Sequence, residues 1–217
     1  MQNRTNQVVL GLVAILVLSI FGVLAYIGYV SWQSDDVAVA DSPLATDNIT
    51  VVESDEPINN FALMNTDGNT LERDDFAGTP TLMTFGFTHC PDVCPLTLSE
   101  MNIVEEGLSE RGITLDYVFV TVDPQRDTAQ VLATYFETLR VDDFITGLTG
   151  SLDALEPLTN TFGVEYIYAE PDAIGNYNVE HTAGMFLLDS EGEWVRRYRY
   201  GTPTGSIVQD IANFVDG

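Results

Sequence analysis

Lysine is absent from this chain of 217 residues, and its only strong cations, eight arginines, face 33 acidic residues, for a formal net charge of -25. That balance excludes nucleic-acid binding, because neutralising phosphates takes clusters of Lys and Arg. Cysteine and histidine are scarce as well, with two of each. Such numbers exclude a disulfide-dense scaffold and a multi-ligand zinc module. What remains is enough to fold: 45% of the residues are hydrophobic and 10% aromatic, which sets the chain apart from intrinsically disordered compositions. No internal repeat is visible.

The acidic excess continues to the C-terminus instead of being confined to one segment. A compact fold carrying it suffers self-repulsion, which dissolved salt screens. Arginine without lysine, over a uniformly acidic background, resembles proteins from organisms of near-saturated brine, and a halophilic protein is expected.

From Val8 to Val30 the chain runs VVLGLVAILVLSIFGVLAYIGYV without a charge. As a helix this run is ~35 Å long, enough to cross a hydrocarbon core of ~30 Å. Arg4 precedes it, Asp35 and Asp36 follow it, and Tyr26, Tyr29 and Trp32 gather at its far end, a pattern for an N-in, C-out span with an interfacial aromatic belt. Ala38-Val39-Ala40 fits a signal-peptidase site, but the apolar run exceeds the roughly 7–15 residues of a signal peptide. No cysteine follows it closely enough for lipid attachment. The expected organisation is a transmembrane anchor over 1–32, an acidic flexible linker over 33–55 and a folded domain over 56–217. Asp35, Asp36, Asp41, Asp47, Glu53, Asp55 and Glu56 make the linker self-repelling and extended. The domain then lies on the extracytoplasmic face of the cytoplasmic membrane, where a disulfide can persist.

Within the domain, Phe61–Met64 and Thr70–Glu72 flank a turn-rich stretch and read as a hairpin. Thr81–Phe87 and Leu115–Val122 read as buried strands. Leu98, Met101, Val104 and Leu108 mark one helix face. Asp127 is expected to cap a second helix, with Val131, Leu132, Tyr135, Phe136 and Leu139 apolar. A strand near Phe144–Leu148, a helix near Leu152–Thr161, a hairpin over Met185–Tyr198 and a last helix with Ile207, Val208, Ile211 and Val215 on one face complete the pattern. The class is α/β, a sandwich around a mixed sheet.

The chemistry concentrates in Phe85-Gly-Phe-Thr-His-Cys-Pro-Asp-Val-Cys-Pro. Both cysteines, Cys90 and Cys94, sit where a buried strand hands over to a helix, and Pro95 suits the first helical turn. The helix dipole there favours a thiolate. A spacing of four puts both sulfurs on one side of a turn, able to close a disulfide or hold a soft cation such as Cu(I) or Zn(II). An inert bridge between residues so close would constrain the unfolded chain little. For a third ligand only His89 and His181 are imidazoles. His89 is next to Cys90 and points away if the strand continues to it, whereas His181 precedes a strand that a mixed sheet can return beside the cysteines. Met101 and Met185, at helix-face and strand positions, read as core.

Phe87-Thr-His-Cys-Pro-Asp-Val-Cys-Pro, Val120-Thr-Val-Asp-Pro-Gln-Arg-Asp-Thr and Val179-Glu-His-Thr closely resemble the three motifs of the Sco/SenC copper-chaperone family, over roughly Pro57 to Gly217. The resemblance implies a thioredoxin-like fold and copper held by Cys90, Cys94 and His181, as Cu(I) and also as Cu(II). It implies a metallochaperone delivering copper to the binuclear centre of cytochrome c oxidase subunit II, its partner. Asp123 becomes an acidic residue near the site that handles partner or metal, or else a strand-end cap in a local ion pair with Arg126 and Asp127. His89 matches a position that is no ligand in the family. A thiol–disulfide oxidoreductase using Cys90 and Cys94 on client cysteines is the alternative. Against it stand three residues between the cysteines, where thioredoxin-type reductases resemble one another in having two, and Gly184 near the place of their cis-proline. A peroxiredoxin-like peroxidase fits less well, because Thr88 stands two residues before Cys90 where that family's motif has three.

Overall fold

The computed structural model describes Gly22, residues 48–51 and residues 58–216. The expected anchor, apart from Gly22, and most of the expected linker lie outside the described residues, among which no helix is long and apolar enough to cross a membrane. In chain order the elements are β1 (Ile49–Val51), β2 (Ala62–Asn65), β3 (Thr70–Glu72), a 3-10 turn (Arg73–Phe76), β4 (Thr81–Gly86), α1 (Val93–Ser109), β5 (Asp116–Thr121), α2 (Ala129–Leu139), β6 (Ile145–Thr149), α3 (Leu152–Phe162), β7 (Tyr166–Tyr168), β8 (Val179–His181), β9 (Gly184–Leu188), β10 (Trp194–Arg199) and α4 (Thr204–Asp216).

Eight strands form one mixed sheet in the order β1-β10-β9-β4-β5-β6-β2-β3. β4, β5 and β6 run parallel, joined through α1 and α2, while β9 returns antiparallel beside β4. Every residue of β4 and of β9 is buried, so both faces of the central sheet are covered, the condition that makes such strands read as unbroken apolar runs. On one face Phe85 and Phe186 pack against Phe162 of α3 and Trp194 of β10. On the other, Phe119 of β5 meets Tyr135 and Phe136 of α2. α1 and α4 pack together, close enough that a Cβ on Gly107 would lie 3.0 Å from Val208.

Four details depart from the sequence reading. Ile49–Val51, inside the stretch read as linker, pairs antiparallel with β10, its β-branched Ile-Thr-Val suiting an edge strand. Thr128, not Asp127, caps α2, its side chain accepting from Val131 N at 3.3 Å. Asp127 is wholly buried and serves other donors. Val215 is 42% exposed, whereas Ile207, Val208 and Ile211 of the same helix are buried. Finally, β7 and β8 form a separate two-stranded sheet, three residues each, too short to leave a periodicity in the sequence.

Candidate metal centre

Two pieces of chain meet at the C-terminal end of β4. The first is the loop from Phe87 into α1. α1 begins at Val93, and Asp92 makes no side-chain capping bond. The Cys94 N–H instead donates to Cys90 Sγ at 3.4 Å, so the first cysteine occupies the role a capping oxygen ordinarily fills at a helix start. Cys94, on the buried side of α1, is 3% exposed and rests against β4. Gly86 makes this approach possible, since a Cβ there would stand 2.9 Å from Cys94 Sγ and 2.8 Å from the Phe119 ring.

The second piece is β8, which ends at His181. Only Thr182 and Ala183 separate it from β9, whose first residue has a left-handed φ of 145°. A Cβ at Gly184 would meet Tyr198 O at 2.6 Å, which requires glycine, and the Gly184 carbonyl accepts from Thr84 Oγ1 at 2.9 Å. β9 is thereby fixed beside β4, and it brings the end of β8 over the cysteines. The His181 Nδ1–H donates to Thr182 O at 3.1 Å, which leaves Nε2 to present its lone pair. That nitrogen lies 3.5 Å from Cys94 Sγ. The ring packs edge-on against Phe87, with centroids 5.9 Å apart.

The donor atoms of Cys90, Cys94 and His181 all lie within 4.8 Å of one another, and they are the only such His/Cys/Asp/Glu group among the described residues. Metal–sulfur bonds of about 2.3 Å and metal–nitrogen bonds of about 2.0 Å set donors roughly 3.7–4.0 Å apart in a trigonal site, so the three atoms fit one ion with little movement. Two sulfurs and an imidazole form a soft donor set. Cys90 and His181 line an open cleft of about 330 Å³ with Phe87, Pro91 and Ala183, while Cys94 is buried. Both cysteines are free thiols.

Burial pushes the Cys94 thiol well above its ordinary value. The helix terminus was expected to favour a thiolate there, but desolvation outweighs the dipole, and metal must displace this proton. Burial lowers the His181 pKa, which keeps its ring neutral and fit for coordination.

The remaining candidates fall outside the cluster. His89 has a 54% exposed side chain, and its Nδ1 donates to Thr88 Oγ1 at 3.0 Å. Met101 and Met185 are buried in the core. Asp123 is fully buried and ion-paired with Arg126. Tyr177 OH donates to its Oδ1 at 2.8 Å. Asp127 stands apart from that pair: its carboxyl group accepts from Thr88 N at 2.9 Å, Thr88 Oγ1 at 2.6 Å and Thr121 Oγ1 at 2.7 Å. Thr88, Arg126, Asp127 and Tyr177 thus support the site, although sequence reasoning gave none of them that task. The signal available was the pair of carboxylates four apart, with arginine between, directly after a buried strand.

Residues 52–216 match the SCO1/SenC family. An SCO2-like protein of Rickettsia felis is 34% identical over 64% of this chain and 67% of its own. Among solved structures, Arabidopsis thaliana ScoI with copper bound is 29% identical, with a TM-score of 0.68 over 73% of this chain and 98% of its own. Yeast Sco1 with copper bound, also 29% identical, aligns at 0.68 over 75% and 90%. BsSco, a member of the Sco family of cytochrome c oxidase assembly proteins, is 21% identical and shares the fold, with a TM-score of 0.60. With a thioredoxin-like sandwich and a Cys-x-x-x-Cys plus His group at the end of β4, the chain is a member of the SCO1/SenC family.

Proposed function

We propose that the protein is a copper metallochaperone, which takes up Cu(I) between Cys90, Cys94 and His181 and passes it to the binuclear copper centre of cytochrome c oxidase subunit II. The convergence of two sulfurs and one imidazole nitrogen within 4.8 Å carries this reading. Three donors leave a monovalent soft ion open to a fourth, so a client thiolate entering the cleft can add before any protein ligand is lost. Cys90 and His181 face that cleft and are the ligands an incoming group reaches. Cys94 is the buried ligand. The experiment is transfer: soluble domain loaded with one Cu(I) should give it up to the soluble copper domain of subunit II. Copper retained by the donor at equal concentrations of both would contradict the reading.

The half-exposed Cys90 next to a buried Cys94 also suits thiol–disulfide exchange, the second reading. Rapid reduction of an oxidised client peptide by copper-free protein would favour it over the first.

Acid should weaken copper binding. The raised Cys94 thiol is protonated in the free protein throughout the accessible range, and His181, lowered by burial, stays neutral near pH 7. Each ion bound displaces the Cys94 proton, so affinity is expected to fall at least about tenfold per pH unit on acidification. Competition titrations between pH 7 and about pH 5 check this, and a flat profile would speak against thiolate ligation.

The uncharged run over 8–30 supports a single membrane anchor that holds the domain at the extracytoplasmic face. The acidic composition supports a halophilic setting. Only three Arg–carboxylate ion pairs occur among the described residues, Arg73–Asp74, Arg126–Asp123 and Arg196–Asp210, against 33 acids in the chain. Most carboxylates among the described residues therefore lack a close cation, and screening should stabilise the fold. The melting temperature of the soluble domain is expected to rise by several degrees between low salt and molar KCl. No rise would argue against salt adaptation.

A further inference from the structure

We infer that the loop Val122–Asp127 sets the separation between the two cysteines and His181, holding the cysteine segment with one side and the His181 hairpin with the other. This inference rests on the three-ligand reading above and assigns positioning roles to residues that touch no metal. At one end of the loop, Asp127 takes the Thr88 N–H and hydroxyl, two residues before Cys90. At the other, four contacts fasten the β7–β8 hairpin. Tyr168 OH donates to Val122 O at 2.6 Å, and Tyr177 OH donates to Asp123 Oδ1 at 2.8 Å. Arg126 Nη1 donates to Tyr177 O at 2.9 Å, and the guanidinium carbon lies 3.6 Å from the centre of the Tyr177 ring. The Tyr168 and Tyr177 rings meet edge to face at 5.8 Å.

The hairpin needs such fastening because, among the described residues, its strands pair only with each other. His181 pairs across it with Tyr166, two residues from Tyr168, so a shift of the hairpin moves the imidazole. The loop itself is rigid. Asp123 and Asp127 are fully buried, Thr149 Oγ1 donates to Asp127 O at 2.6 Å, and Thr121 Oγ1 accepts from Asp123 N at 2.9 Å. Both arms of the metal centre therefore refer to one fixed element.

The test deletes single hydroxyls from the hairpin in the soluble domain. Tyr177→Phe and Tyr168→Phe each should weaken Cu(I) binding, measured against a chromophoric chelator, by roughly ten- to a hundredfold, the usual cost of losing an outer support of a metal ligand. Amide exchange of Ala169 and Thr182 in the metal-free variants should quicken, since their N–H groups hold the hairpin closed. In a His181→Ala background the same changes should add no further loss, because no imidazole remains to be positioned. If His181→Ala alone leaves affinity intact, the three-ligand reading is what fails. If His181→Ala weakens binding but both tyrosine variants bind as the wild type does, or lose affinity equally in both backgrounds, the positioning role is overturned.

Discussion

Replacing His181 by alanine is expected to lower the Cu(I) affinity of the soluble domain by more than about a hundredfold, beyond the usual cost of disturbing an outer support of a ligand. The side chain contributes Nε2, 3.5 Å from Cys94 Sγ, and the nearest sequence substitute, His89, has its Nδ1 turned to Thr88. No other imidazole exists in the chain. The bridge between Cys90 and Cys94 should still form and break, because the loop and the helix start that place the sulfurs are independent of the ring. Competition titration together with thiol counting after oxidation and reduction checks both halves. Full affinity in the variant would disprove ligation by three residues, and failure of the bridge to form would show that His181 governs the sulfurs too.

The second large effect is expected at Asp127. Its carboxyl group is fully buried and receives three donors, from Thr88 N, Thr88 Oγ1 and Thr121 Oγ1. Asp127→Ala strands all three, the buried Thr121 hydroxyl and the two partly buried donors of Thr88, and each unsatisfied buried donor costs about 1–3 kcal/mol. A loss of about 3 kcal/mol or more follows, which lowers the melting temperature of a domain this size by roughly 6–12 °C. Because Thr88 stands two residues before Cys90, copper affinity should fall with it. Asp127→Asn keeps the shape and one acceptor, so an intermediate effect is expected. Thermal unfolding of the metal-free domain measures the stability change, and a shift of a degree or less would mean that this group does not hold the loop.

Strands with long apolar runs and helices with a clear face were legible in the sequence because burial there repeats over many residues. Thr81–Gly86 and the face Leu98, Met101, Val104 and Leu108 are examples, all buried. The pairing of Cys90, Cys94 and His181 was legible through motif resemblance, since the residues between Cys94 and His181 hide their proximity. The supports were not. A buried aspartate and a helix-capping aspartate look alike in a sequence, and Asp127 was read as a cap although Thr128 supplies it. Tyr168 and Tyr177 belong to a hairpin of three-residue strands, whose order comes from contacts with the loop after β5 more than from any local pattern. The state of the Cys94 sulfur was likewise misjudged: its place at a helix start is a local property, but the burial that dominates its chemistry depends on β4, Gly86 and Phe119.

X-ray absorption at the copper edge, on the wild-type domain carrying one Cu(I), tests the metal centre most directly. The nearest shell should contain two sulfurs and one nitrogen, with the outer scattering of an imidazole ring. A shell of sulfur alone, or one with fewer than two sulfurs, would contradict it.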